Sequence, residues 1–270
     1  MNDVQRLSRG PRAYASFIGI GLLAGILSGL FGVGGGTLIV PLLVLVLHFD
    51  QRLAAGTSLA AIVPTAMIGV ISYAVHGSVA WVPALILAAS AVLGAQLGTK
   101  AIQRVSQSAL RWGFVAFLVV VIVSLFLVIP DRGSAFVISW LSAAGLGALG
   151  FGTGVLAGLI GVGGGVIVVP VLMLLFGFSD LEAKGTSLLM MIPTAVSGTV
   201  GNVRHRNVDL VAAALIGVAA CTTTALGAWL ATIVDPFAAN ILFAAYLVVI
   251  AVQMTVKAVR GRAAGAEGRR

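Results

Sequence analysis

Apolar residues in this chain fall into long uninterrupted runs separated by short polar turns, without the alternation that a half-buried strand requires. The first run, residues 14–47, carries no charge. As one helix it would reach about 51 Å, against a hydrocarbon thickness of roughly 30 Å. It is interrupted by Gly32-Val-Gly-Gly-Gly36. Each glycine inside a helix costs about 1 kcal/mol relative to alanine, so the run is predicted to break there. The result is a hairpin that enters and returns, or two short crossings, with neither part comfortably long enough to span. Residues 53–75, containing Pro64, 79–99 and 112–129 read as full spans. They are separated by a turn at His76-Gly-Ser78 and a basic polar loop at 100–111. Pro130-Asp-Arg-Gly133 is a tight turn.

The second half repeats the plan. Residues 134–178 form an uncharged run broken at 161–165. A short charged loop at 179–184 follows, then spans at 185–203, containing Pro193, 210–234 and 237–256. The tail from Lys257 is basic, rich in Gly and Ala, and predicted to be disordered. Gly29-Leu-Phe-Gly-Val-Gly-Gly-Gly-Thr-Leu-Ile-Val-Pro41 aligns without a gap with Gly158-Leu-Ile-Gly-Val-Gly-Gly-Gly-Val-Ile-Val-Val-Pro170, an offset of 129. At the same offset Gly56-Thr-Ser-Leu59 meets Gly185-Thr-Ser-Leu188, Pro64-Thr-Ala66 meets Pro193-Thr-Ala195, and His76 meets His205. Leu93-Gly-Ala95 and Leu226-Gly-Ala228 align at 133, which implies four inserted residues in that stretch. The chain reads as a fused duplication: a tail at 1–13, a first membrane repeat at 14–130, a turn at 131–133, a second repeat at 134–256 and a tail at 257–270.

Composition narrows the class. Of 270 residues 60% are apolar and 9% charged, and the mean hydropathy is +1.13. These values fit a polytopic helical membrane protein. The opening residues do not resemble a cleaved signal peptide. A net charge of +8 raises nucleic acid as a partner, but the basic residues lie in tails and short loops, not in one patch. That distribution follows the positive-inside bias instead. If each glycine-split run enters and returns, fourteen of the 16 Lys and Arg residues fall on the cytoplasmic side with both termini. Arg132 and Lys184 remain outside, and three full spans per half make the halves inverted relative to each other. Inverted repeats with discontinuous helices at the midplane are a recurrent transporter plan. The single Cys221 has no disulfide partner and reads as core.

An opened helix leaves N–H groups free at the start of its second part, where the macrodipole adds about half a positive charge. Bare glycine backbone lets a small anion approach closely. The amides of Val33, Gly34, Gly35, Gly36 and Thr37, and of Val162, Gly163, Gly164, Gly165 and Val166, are therefore the leading anion ligands. Thr37, Thr57, Ser58, Thr65, Thr186, Ser187 and Thr194 offer hydroxyls at similar depth. Gly21, Gly25 and Gly29, at four-residue spacing, read as helix-packing glycines. Pro64 and Pro193 either free a carbonyl near the site or are tolerated bends. His76 and His205, at span ends, are candidates for gating or proton carriage, although a histidine in a turn is ordinarily just solvated. Gln96 is a polar residue that either faces the cavity or does not. Lys100, Arg204 and Arg206 either draw anions to the cytoplasmic mouth or only set topology. No Asp, Glu, Lys or Arg falls inside a predicted span, so coupling through a buried carboxylate is not expected. No metal-ligand, aspartyl-protease, zinc-protease, dinucleotide or P-loop pattern is present, which points away from an enzyme and away from any cofactor.

The duplicated Gly-Val-Gly-Gly-Gly…Pro, the Gly-Thr-Ser after each copy and the Pro-Thr-Ala beyond resemble the TauE/SafE family, the sulfite-exporter-like permeases also called TSUP. The resemblance covers nearly all of residues 14–259. It implies a bacterial inner-membrane transporter of small sulfur-containing anions such as sulfite, thiosulfate, sulfoacetate or related sulfonates, with the glycine motifs lining the central site. The expectation is thus an all-α integral membrane carrier of two inverted halves, with a small anion and the lipid bilayer as its partners. An anion channel with the same glycine lining, or a membrane scaffold whose glycines only pack helices, are the rival readings.

Overall fold

The computed structural model describes residues 10–127 and 139–267. The turn expected at 130–133, the last residues of the third span, and Arg6, Arg9 and Arg132 lie outside the described residues. Ten helices and no strand occur among the described residues. They are α1 Pro11–Phe31, α2 Gly36–Leu45, α3 Gln51–Val75, α4 Trp81–Ala101, α5 Gln107–Leu127, α6 Trp140–Ile160, α7 Gly165–Phe176, α8 Asp180–Arg204, α9 Leu210–Ile233 and α10 Pro236–Glu267.

Five of these, α1, α3, α4, α6 and α9, are long and apolar enough to cross a membrane. Two differ from expectation. The first parts of the split runs, α1 and α6, are 21 residues each, about 31 Å at 1.5 Å per residue. Each is long enough to span, whereas the sequence suggested neither part was. Helix α8 matches the 25-residue length of α3 but falls outside the five because its residues are more polar. Helix continues through the tail to Glu267, where Gly/Ala-rich composition suggested disorder. The alanines there outweigh the glycines as helix formers.

Both glycine breaks form where the composition placed them. Helix α1 ends on Gly32 in the left-handed region (φ 68°), and Gly34 and Gly35 also have positive φ before α2 begins. Gly161, Gly163 and Gly164 repeat this between α6 and α7. After the first break the chain turns back. A Cβ built on Gly35 would lie 2.9 Å from Ala24 O, and the Phe49 ring beyond α2 meets Phe17 near the start of α1, with centroids 6.3 Å apart. In the second half Gly164 faces Thr153 and Phe176 faces Gly145.

Contacts between the halves recur with their partners exchanged. Gly21, Gly25 and Gly29 of α1 lie against Ile216 O, Ala220 O and Thr224 O of α9. Gly150, Gly154 and Gly158 of α6 lie against Leu87 O, Ala91 O and Ala95 O of α4, the same set displaced by 129. Both pairs run parallel, glycine to backbone, as small-residue packing in lipid requires. The equivalent helices α3 and α8 cross antiparallel: Gly69 packs on Leu188 and Gly198 on Leu59. This register also corrects the expected four-residue insertion. Gly98 packs on Val155 O and Gly227 on Ile26 O, so α4 and α9 correspond at 129 throughout. The Leu-Gly-Ala match at 133 is one helical turn out of register.

The exchange extends to hydrogen bonds. Thr57 Oγ1 accepts from the N–H of Asp209 at 3.0 Å, and Thr186 Oγ1 accepts from the N–H of Ala80, also at 3.0 Å. Each threonine of a Gly-Thr-Ser thus ties down the start of a helix in the other half, beside a glycine that admits the loop: Gly56 against Asn207 O, Gly185 against Ser78 O. Replacing Thr57 or Thr186 by valine is expected to leave that N–H bare and cost about 1–2 kcal/mol. Thermal unfolding in detergent checks this, with serine at the same position retaining most of the stability.

Candidate functional site

The two breaks meet where α3 and α8 cross. Ile62 lies halfway along α3 and Met191, 129 residues on, halfway along α8. Cβ atoms built on Gly34 and Gly163 would lie 2.2 and 2.3 Å from the same Met191 Cε, with Ile62 next to both. Gly36 rests on the backbone of Val162, and Gly165 on Gly32 O and Ser187 Oγ. All of residues 31–41 and 160–166 are buried.

Backbone groups at the first break are only partly paired. Three carbonyls at the end of α1 have donors: Ser28 O receives the N–H of Gly32, Gly29 O the Tyr73 hydroxyl at 2.6 Å, and Gly32 O the Ser187 hydroxyl at 3.1 Å. The first backbone bonds of α2 are those of Leu38 and Ile39 to Gly35 O. Those of α7 are Ile167 and Val168 to Gly164 O. No side chain caps either helix, and the N–H groups of residues 33–37 and 162–166 have no acceptor among the described residues. Two helix N-termini therefore leave donors unused in a buried place, where an unmet donor costs about 1–3 kcal/mol. The hydroxyls of Thr37 and Ser58, both 0% exposed, also lack partners. The buried surroundings thus offer hydrogen-bond donors, a set that suits an anion.

The other predicted residues are placed as follows. Thr65 and Thr194 donate to Ala61 O and Met190 O of their own helices, while Thr57 and Thr186 serve the caps described above. Pro64 and Pro193 lie inside unbroken α3 and α8, and Pro64 packs on Gly217. His76 and His205 end these two helices in exposed positions. Gln96 donates to Ser197 O and Oγ, joining α4 to α8. The basic loop is shorter than expected, since α4 continues through Lys100 to Ala101 and α5 begins at Gln107.

One expectation is overturned. The charged loop at 179–184 is the first part of α8, and Lys184 Nζ meets Asp180 Oδ2 at 2.8 Å with both residues 3% exposed. An ion pair therefore lies inside the bundle, where no charge was expected. The Ser179 side chain, which accepts from Glu182 N–H, starts the helix earlier than the polar run suggested. Sequence reading also passed over Ser28, Ile62, Met191 and Tyr73. Ser28, one turn before the break, is buried with an unpartnered hydroxyl. Its position next to the glycines was the one available signal.

Comparison with known proteins decides the family. The profile described as Sulfite exporter TauE/SafE matches residues 3–125 and 146–270, with both glycine breaks inside the matched regions. The chain belongs to the TauE/SafE family. Among similar TauE/SafE-related proteins, a probable membrane transporter protein of Xylella fastidiosa (strain 9a5c) is 32% identical over 224 residues, covering 80% of this chain and 84% of that protein. The probable membrane transporter protein YunE of Bacillus subtilis (strain 168) is 28% identical over 229 residues, covering 76% and 84%. YdhB of the same organism, also named a probable membrane transporter protein, is 28% identical over 192 residues, covering 70% and 78%. No solved structure matches this TauE/SafE chain significantly. A membrane transporter role is what the family carries.

Proposed function

We propose that this TauE/SafE protein carries a small sulfur-containing anion of the sulfite, thiosulfate or sulfonate class, bound at the midplane by the amides of residues 33–37 and 162–166. The single observation behind this reading is the set of unused N–H groups at both breaks, at the buried starts of α2 and α7. Thr37, whose hydroxyl has no partner, stands in the first break as a further donor, while the Ser187 hydroxyl is already given to Gly32 O. Two N-terminal dipoles, each about half a positive charge, supply attraction without a fixed cation at the binding point.

The antiparallel crossing of α3 and α8 supports inverted halves, and the Phe17–Phe49 contact supports a first break built as a re-entrant hairpin. Both termini are then cytoplasmic in a bacterial inner membrane. With both breaks buried, the anion enters only when one side opens and the Met191 end group, flexible and shared by both loops, withdraws. Moving one negative charge out of a cell is favoured by about 2.3 kcal/mol per 100 mV of inside-negative potential.

Flux into reconstituted vesicles with sulfite, thiosulfate, sulfoacetate and chloride, across imposed pH and voltage gradients, tests this reading. Saturable uptake of a sulfur anion is expected. Steady single-channel currents would indicate a channel, and no flux of any anion would leave only the scaffold role.

A further inference from the structure

The buried Asp180–Lys184 pair has an internal control in the other half. Displaced by 129, Asp180 becomes Gln51 and Lys184 becomes Ala55. The backbone contact is the same in both places: Gly161, left-handed at φ 83°, sits on Ala55 Cα and Cβ, and Gly32, at φ 68°, sits on Lys184 Cα and Cβ. Packing against a glycine break therefore needs no charge at this position, because Ala55 provides it. The helix gains little, since an i,i+4 acid–lysine pair is worth only about 0.2–0.5 kcal/mol. Asp180 in the first turn of α8 suits the dipole, but an ammonium one turn in opposes it. A buried ion pair is in general no more stabilising than an apolar pair of similar volume, and ionisable groups at membrane depth mark ion pathways.

The position of the pair gives it a role. Lys184 stands between the midplane residue Met191 and the end of α8 near the α3 C-terminus, where Tyr73 closes onto Gly29 O. Ser187, one turn closer to the midplane on the same helix, holds Gly32 O. On the opposite side the corresponding positions, Gln51, Ala55 and Asn202, are buried and uncharged, with the buried Asp209 and the half-buried Arg52 beside them. The two ends of the crossing therefore differ, because among the described residues only the α8 end holds a buried ammonium, although the backbones around them match.

We propose that Lys184 is the specificity-determining cation of the anion path, and that Asp180 holds its ammonium until an anion passing between the breaks and the α8 N-terminal face takes the carboxylate's place. The substrate class is an oxyanion able to accept from an ammonium. This rests on the glycine-break reading above and adds to it a buried ammonium on one face only.

The test is uptake of sulfite and thiosulfate in vesicles, with KM and maximal rate measured from each face. The variant Asp180→Gln/Lys184→Ala writes the first half's own residues into the second, so its packing already has a precedent in this fold. It is expected to be monodisperse, with KM raised by about tenfold or more on the α8 N-terminal face and little changed on the other. Lys184→Arg is expected to keep KM near the parent value. Asp180→Lys/Lys184→Asp retains an ion pair but moves the ammonium by a turn. A purely structural pair predicts parental KM for it, and the proposal predicts the raised KM. Parental KM from both faces in either double variant overturns the proposal while leaving the glycine-break reading intact. Absence of flux in the parent protein would overturn both.

Discussion

Alanine at Gly34 or Gly163 is expected to lower sulfur-anion uptake by about tenfold or more in protein that still folds. Both glycines have positive φ, 69° and 81°, a region that costs a side-chain-bearing residue about 1–2 kcal/mol. The added methyl would lie 2.2 or 2.3 Å from Met191 Cε. That atom ends a flexible side chain and gives way at small cost, so the fold loses little. The same methyl stands over the amides proposed to meet the anion, and there nothing can give way. Vesicle uptake and thermal unfolding, measured on the same preparations, separate the two effects. Adding Met191→Ala makes room for the methyl. Uptake restored to that of Met191→Ala alone would show that crowding, and not covered amides, caused the loss.

Gly29→Ala and Gly158→Ala are expected to have the largest effect on stability. A Cβ at Gly29 would lie 2.1 Å from Thr224 O and 2.5 Å from Ala228 N, and one at Gly158 would lie 2.5 Å from Ala95 O and 2.8 Å from Thr99 N. These are backbone atoms of a parallel helix, so α1 and α9, or α6 and α4, must separate along their length. Overpacking of this kind costs about 1–3 kcal/mol, and in lipid, where close packing itself drives association, the lost contacts are not replaced by a hydrophobic gain. Reduced melting temperature and aggregation during size-exclusion chromatography are the expected results. Gly19 of α1 and Gly152 of α6 have nothing within 4 Å of an added Cβ, so alanine there should be neutral or stabilise by up to about 1 kcal/mol. Equal melting temperatures for Gly19→Ala and Gly29→Ala would refute the packing account.

Much of the architecture was legible from local chemistry. Three adjacent glycines in a charge-free run cannot hold a helix cheaply, so the breaks at Gly32 and Gly161 followed from backbone entropy alone. The duplication was visible because identical residues recur at one spacing, and the four-residue rhythm of Gly21, Gly25 and Gly29 announced a close helix contact. Donor-rich breaks were predictable too, since any helix start leaves N–H groups unpaired.

What the chain could not disclose is which partner each group meets. Thr57 and Thr186 look like site hydroxyls in sequence, but their acceptor oxygens are taken by N–H groups of Asp209 and Ala80 in the opposite half. Lys184 looks like a loop cation, yet α8 starts early and buries it beside Asp180. Helix propensity and hydropathy are properties of neighbours along the chain. A hydrogen bond across more than a hundred residues, like the burial of a lysine, depends on how helices face each other, and only the packed structure decided that.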